Sequence, residues 1–232
     1  LADVVVSFGA DFLGDWLDSG HSKDYAKKRN PNGVMSRHYQ FESNLSMTGA
    51  NADYRTPVKA SEMGVALVNL YNFIANKAGA EIVNVSVSNY STQLQKAAND
   101  LWNAKGKSLV VAGGNDKNIH IVINAINDLL SNNGTTIDFT KRSYLKQGND
   151  ADVASLLNDM KAGKVGTLIA YNVNPVYNLA DGIAFAEALS KVDMSISFSD
   201  RNDETASLMN FVCPDHNYLE SWGDASPYTG VY

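Results

Sequence analysis

The residues best suited to chemistry in this sequence form two glycine turns, each placed directly after a short apolar run. The turn residues are Gly9 and Asp11 in the first turn, and Gly113, Gly114 and Asn115 in the second. In a parallel α/β sheet, backbone amides after such a turn point outward at a helix start and can bind a phosphate. The spacing of Gly9 and Gly14 does not follow Gly-x-Gly-x-x-Gly, and close packing between strand and helix is a second reason for glycine. Each turn therefore predicts either an anion site or a tight connection.

A second set of candidates consists of polar residues that follow other predicted strands. These strand-end residues are Glu42, Ser43, Asn172, Asn174 and Asp200. Ligands of parallel sheets meet the loops at the carboxyl ends of the strands, where polar side chains of this kind collect. We expect these residues to border a ligand or partner site.

The sequence predicts neither a metal site nor a hydrolytic centre. His216, Glu220 and Asp224 are spaced four residues apart, which would place them on one helical face. Pro214 and Gly223 interrupt such a helix, so we interpret His216 and Glu220 as a hydrogen-bonded loop pair. The chain contains no Gly-x-Ser-x-Gly elbow and no Gly-Lys-Ser/Thr phosphate loop. We assign no catalytic residue and no metal ligand.

The composition is that of a globular protein without a nucleic-acid partner. The 232 residues are 44% apolar and 19% charged, and the net charge is -6. Neutralising phosphates needs a basic surface, so this charge argues against general nucleic-acid binding. No apolar stretch reaches the roughly 18 residues of a membrane span. The single cysteine, Cys213, ends an apolar run and is expected in the core.

The fold predicted from periodicity is α/β, with two Rossmann-like lobes whose mainly parallel sheets are flanked by helices. Predicted strands span residues 3–8, 38–42, 55–58, 108–112, 167–171, 193–198 and 207–212. Predicted helices span residues 62–77, 92–104, 119–130, 150–160 and 179–189. Residues 18–36 are expected to form a long loop, and residues 81–88 and 135–138 are either strands or loops.

Two further expectations concern the limits of the domains. The break at residues 105–107, Lys-Gly-Lys, divides the chain into a first lobe, residues 1–105, and a second lobe, residues 106–232. The first residues already read as a strand, with neither an initiator Met nor a signal peptide. We therefore expect this chain to be a piece of a longer one.

An ordered set of motifs resembles the molybdopterin oxidoreductase superfamily. The motifs lie at residues 5–13, 42–58, 109–114, 165–177, 203–206 and 213–224. Three segments are more narrowly similar to the large iron–sulfur subunit of alternative complex III, a bacterial quinol:cytochrome c oxidoreductase. Those segments are Asp-Phe-Leu-Gly-Asp-Trp at 11–16, the stretch from Glu42 to Arg55, and Leu-Glu-Ser-Trp-Gly-Asp-Ala at 219–225.

The resemblance implies a fold like the second and third domains of those enzymes, whose matching loops border two pterin guanine dinucleotides. In catalytic relatives, glycine amides would hold a pyrophosphate, and a carboxylate such as Glu42 or Asp200 would accept from a guanine or a ribose. In the alternative complex III subunit, the molybdopterin-like domain carries no cofactor and acts as a scaffold. The narrower similarity favours that non-catalytic scaffold, and a fragment of an active molybdopterin guanine dinucleotide-dependent oxidoreductase is the alternative.

The same resemblance implies the surroundings of the chain. Iron–sulfur clusters are expected elsewhere in the parent chain. The implied partners are an iron–sulfur domain, a multihaem cytochrome and a quinol-binding membrane subunit. The implied location is the periplasmic face of the bacterial inner membrane.

Overall fold

The chain folds into two compact units, each with its own sheet and core. The computed structural model describes residues 1–16, 20–145 and 148–232. Unit 1 comprises Leu1–Leu145 and Pro227–Val231, and unit 2 comprises Lys146–Ser226 and Tyr232. The sequence analysis placed the division after residue 105, whereas the structure places it after residue 145. The reason is that residues 108–112 pair with the first strand of the chain, and that pairing draws residues 106–145 into unit 1.

The sheet of unit 1 has four strands, all parallel. The strands are β1 (Val4–Phe8), β2 (Arg37–Glu42), β3 (Tyr54–Pro57) and β4 (Ser108–Ala112). Their order across the sheet is β3-β2-β1-β4. In register, Val6 lies beside Tyr39 on one side and beside Val110 on the other. Because the winding direction reverses between β1 and β4, the loops after these two strands flank the crevice where doubly wound sheets bind ligands.

Unit 1 contains five helices among its described residues. They are α1 (Gly20–Lys27), α2 (Met47–Ala50), α3 (Met63–Ala78), α4 (Ser91–Asn103) and α5 (Lys117–Leu129). Apolar residues of α3, α4 and α5 pack against one face of the sheet, with Leu70, Leu101 and Ile126 fully buried. The end of α3 is as predicted, because Gly79 takes the left-handed conformation of a C-cap, with φ of 68°.

Two predictions about the start of unit 1 need correction. Residues 18–36 were expected to be a loop, but α1 lies within them; its eight residues bury no side chain, so it leaves no apolar periodicity to detect. Ser61 was expected to cap α3, but a 3₁₀ turn occupies Ala60–Glu62 and the helix begins at Met63 without a side-chain cap.

Unit 2 is a smaller three-stranded parallel sheet covered by helices. Its elements are α6 (Asp150–Lys161), β5 (Thr167–Ala170), α7 (Pro175–Asn178), α8 (Gly182–Leu189), β6 (Met194–Ser197) and β7 (Phe211–Val212). The strand order is β5-β6-β7. Its core joins Leu157 and Met160 of α6 to Phe185 and Leu189 of α8, and Leu168 of β5 faces them. Both units confirm the α/β class with parallel sheets flanked by helices.

Unit 2 also departs from the sequence analysis in two places. The strand predicted at residues 207–212 is reduced to Phe211–Val212, because a 3₁₀ turn forms at Ala206–Leu208. The Asp203 carboxylate accepts from the amide of Ala206 at 2.8 Å, which confirms its expected capping role. Cys213 is exposed, so its predicted burial is wrong. It follows a two-residue strand at the edge of the sheet, where little covers a side chain.

The two ambiguous segments are not strands. Residues 81–88 form no regular element. Within residues 135–138 the backbone makes a single bridge, between Asn133 and Ile137. Among the described helices, none combines the length and apolar character that crossing a membrane requires.

Candidate functional site

The β1–β4 crevice of unit 1 is closed by its own glycine turns. Gly113 lies so near the first turn that a Cβ built on it would stand 2.4 Å from the carbonyl oxygen of Gly9. The Gly113 amide donates to the carbonyl of Phe8 at 2.9 Å, and the Gly9 amide donates to the carbonyl of Phe41 at 2.8 Å. Gly9 and Gly114 both have positive φ, 66° and 82°. Of the two explanations weighed for these glycines, the structure supports close packing of backbone on backbone.

Asp11 follows the first turn, and its carboxylate is bound by the start of α2. It accepts from the Thr48 amide at 2.9 Å and from the Thr48 hydroxyl at 2.7 Å. The Thr48 hydroxyl in turn accepts from the amide of Leu13 at 2.9 Å. Burial would raise the pKa of Asp11, but the bonds from Thr48 and neighbouring amides outweigh it and lower that pKa. Asp11 is therefore an ionised internal acceptor that ties the turn to α2.

Glu42 ends β2 as a buried carboxylate with a complete set of donors. It accepts from the Ser46 hydroxyl at 2.6 Å and amide at 3.3 Å, from Arg55 Nε at 2.5 Å, and from Gln40 Nε2 at 3.1 Å. The Glu42 side chain is 4% exposed. Burial acts to raise the pKa of Glu42, and the donors from Ser46, Arg55 and Gln40 reverse this and lower it. Ser43, next in the chain, is exposed.

The helix that follows the second glycine turn is capped by a carboxylate. Asp116 is the N-cap of α5 and accepts from the amide of Asn118 at 2.8 Å. Nε2 of His120 lies 2.8 Å from the carbonyl oxygen of Gly114, within hydrogen-bonding distance. Asn115, a candidate from the sequence, is exposed. A phosphate at this helix start would meet a negative side chain where an anion site offers free amides.

Beneath these turns lies a row of buried polar side chains that the sequence analysis did not identify. His38, Gln40 and Glu42 alternate along β2 and are 0%, 0% and 3% exposed. His38 Nε2 lies 3.2 Å from Gln40 Oε1, and Phe12 packs against the imidazole at 5.3 Å between ring centres. Burial lowers the pKa of His38 to about 4. The alternation in Arg-His-Tyr-Gln-Phe-Glu was the available signal, but alternation normally places its polar face in solvent.

In unit 2 the candidate residues do not form one cluster. Asn174 accepts from the Thr205 hydroxyl at 2.7 Å and amide at 3.2 Å, and its own amide donates to Glu204 at 2.6 Å. Asn172 adopts a left-handed backbone with φ of 50°, which asparagine tolerates better than most residues. Asp200 is exposed and pairs with its neighbour Arg201 at 3.1 Å. Asn174 therefore links two loops, while Asp200 lies at the surface.

The predicted candidates thus fall into two sets. Unit 1 brings together Gly9, Asp11, Glu42, Ser43, Gly113, Gly114 and Asn115 at the carboxyl edge of its sheet, and unit 2 holds Asn172, Asn174 and Asp200. Within the described ranges, no group of three His, Cys, Asp or Glu side chains is placed to hold a metal ion. In unit 1 the buried members of the set bind one another and the backbone.

Comparison with known proteins identifies one similarity over part of the chain. A segment of 76 residues, 32% of this chain, is 37% identical to the molybdopterin-binding-like subunit of menaquinone reductase from Nitratidesulfovibrio vulgaris. The chain spans 11% of the length of that relative. No protein-family model matches the chain. The similarity supports a relationship to molybdopterin-oxidoreductase-like proteins.

Proposed function

We propose that this chain is a non-catalytic scaffold domain of a respiratory quinone oxidoreductase, of the kind found in the large iron–sulfur subunit of alternative complex III. Two findings support the proposal. The first is the similarity to a molybdopterin-binding-like subunit of a menaquinone reductase. The second is the parallel α/β architecture with glycine turns at the carboxyl edge of unit 1.

One observation carries the non-catalytic part of the proposal. The groups at the edge of unit 1 that could bind a cofactor phosphate are already bonded to protein carboxylates: Thr48 to Asp11, Ser46 to Glu42, and Asn118 to Asp116. The crevice between β1 and β4 is filled by contact between the Gly9 and Gly113 turns. A pyrophosphate placed there would face ionised carboxylates and would have to separate two backbone segments. These residues therefore do not fit a pterin guanine dinucleotide.

The proposal extends to partners and location. The scaffold would support an iron–sulfur domain carrying the clusters of the parent chain, a multihaem cytochrome and a quinol-binding membrane subunit. It would lie on the periplasmic face of the bacterial inner membrane. The support for these statements is the resemblance of residues 11–16, 42–55 and 219–225 to the alternative complex III subunit.

The decisive test is analysis of the full-length protein for molybdenum, tungsten and guanine dinucleotide released by acid. We expect none of the three in stoichiometric amount. As a second measurement, GDP carries the guanosine and pyrophosphate of the cofactor, and we expect it to bind this chain more weakly than about 1 mM. ADP serves as the matched control ligand.

Two outcomes would contradict the proposal. Stoichiometric metal together with guanine dinucleotide would establish the alternative, an active molybdopterin guanine dinucleotide-dependent oxidoreductase. Micromolar binding of GDP but not ADP would show that the edge of unit 1 retains a guanosine site.

A further inference from the structure

One face of the sheet in unit 2 carries apolar side chains that nothing covers. Residues alternate along β5, so Leu168 and Ala170 are buried while Ile169 is 60% exposed and the following Tyr171 is 64% exposed. On β6 the same alternation buries Ser195 and Ser197 and leaves Met194 exposed and Ile196 half-buried. We call the uncovered side the open face; it consists of Ile169, Tyr171, Met194, Ile196, Phe198 and Phe211.

Strand register makes the open face continuous. Ile169 lies beside Ile196, and Ile196 lies beside Phe211, so one apolar row crosses all three strands. The rings of Tyr171 and Phe198 are 6.3 Å apart, which places both on this side of the sheet. None of the six side chains is charged. The Tyr171 hydroxyl is bonded to the Asp215 carboxylate, and this bond raises the pKa of Tyr171.

The opposite face of the same sheet shows what such a surface normally packs against. There, α6 and α8 contribute Leu157, Met160, Phe185 and Leu189, and Leu168 of β5 meets them. Parallel sheets are almost always covered by helices on both faces, because their strands are apolar on both sides. Strand spacing of about 4.8 Å gives three strands a width of about 10 Å, the diameter of one α-helix with its side chains.

We propose that the open face binds one amphipathic α-helix of a partner, through an uncharged apolar stripe. The six side chains expose on the order of 500 Å², at the upper end of what a monomer leaves uncovered. That area is more than half of the roughly 800 Å² that each partner buries in a standard interface. Four-residue strands extend about 13 Å, so the contact spans about nine residues of the helix, with apolar side chains at i, i+3, i+4 and i+7.

The inference gives the proposed scaffold a contact surface, but it rests on unit 2 alone. The pterin analysis tests unit 1, and helix binding tests the open face, so each can fail without the other.

The test uses a fluorescent synthetic helix of about 18 residues, with leucine and alanine on one stripe and glutamine and lysine elsewhere. We expect its anisotropy to rise on titration with the chain, and Ile169→Lys to weaken binding at least about tenfold because a lysine would be buried without a partner. Ile183→Lys is the matched control, since Ile183 is 80% exposed on α8, outside the open face. Cys213, the single cysteine and exposed next to β7, supplies a second measurement: bound peptide should slow its alkylation.

A scrambled peptide of the same composition should not bind, and circular dichroism should show that both variants are folded. Failure of the striped peptide to bind, or equal binding by Ile169→Lys, overturns the proposal. So does a dimer of the chain that Ile169→Lys dissociates while peptide binding is absent, because the occupant would then be a second copy.

Discussion

Glu42, Asp11 and Asp116 show how single carboxylates can decide the chemistry of this sheet edge. Each accepts from backbone amides that an anion site would leave free, and Glu42 also pairs with Arg55 at 2.5 Å. For Glu42 and Asp11, hydrogen bonds overcome burial and lower the pKa, so both are ionised at neutral pH. A carboxylate in such a place repels a phosphate and stabilises the turn instead.

Glu42→Gln is expected to destabilise unit 1 by about 2–3 kcal/mol, because the change leaves the largely buried Arg55 without its counter-charge. The measurement is urea unfolding at pH 7. Asp200→Asn is the control, an exposed carboxylate whose loss should not move the unfolding midpoint. The pKa of Glu42 is lowered in the fold, so its stabilisation is present above the ordinary carboxyl pKa and is lost as pH falls. An unchanged midpoint for Glu42→Gln would show that its bonds do not stabilise the edge.

His38 predicts a second, separate pH dependence. Its folded pKa of about 4 lies below the ordinary value of 6.5, so the unfolded chain binds the proton more tightly. The free energy of unfolding should therefore rise between about pH 4 and pH 6.5, by up to about 3 kcal/mol. Replacing His38 by Gln should remove most of that slope in a urea series across this window, while His216→Gln, at an exposed position, should retain it. Equal slopes in the two variants would contradict the assignment.

At the scale of elements, the two strand–turn units have the same sequence pattern but serve packing. Both glycine turns end neighbouring parallel strands, and their backbones touch where a doubly wound fold usually opens. The β2 strand adds a buried polar face beneath them, covered by the loop at residues 10–16 and by α2. The edge of unit 1 is therefore a closed hydrogen-bonded layer.

Gly113→Ala tests this closure. The added Cβ would stand 2.4 Å from a backbone oxygen, which cannot move as a side-chain tip can. We expect a loss of about 1–3 kcal/mol in thermal or urea unfolding. Gly64→Ala is the matched control: Gly64 lies within α3, nothing lies within 4 Å of its added Cβ, and alanine there should stabilise by about 0.5–1 kcal/mol. If Gly113→Ala is neutral, the two turns are not in contact in solution.

At the scale of the molecule, the chain is two units that share a plan but differ in completeness. The core of unit 1 lies between its sheet and three helices, and the core of unit 2 lies between its sheet and two. Unit 2 leaves its second face apolar and uncovered, whereas unit 1 fills much of its second face with hydrogen-bonded polar side chains. Pterin analysis and helix binding test these two surfaces separately.

The sequence by itself determined the α/β class, the position of most strands and helices, and the glycine turns, because those depend on local periodicity and backbone preference. Helix α3 with Gly79 after it and strand β1 are examples of such local signals. Strand pairing is not local: β4 joins β1 across about a hundred residues, and that pairing moved the unit boundary. The tertiary structure alone decided that the polar face of β2 is buried, that Asp11 and Glu42 turn inward, and that Cys213 is exposed. Each depends on what packs above a residue, and one sequence does not record which distant segment that is.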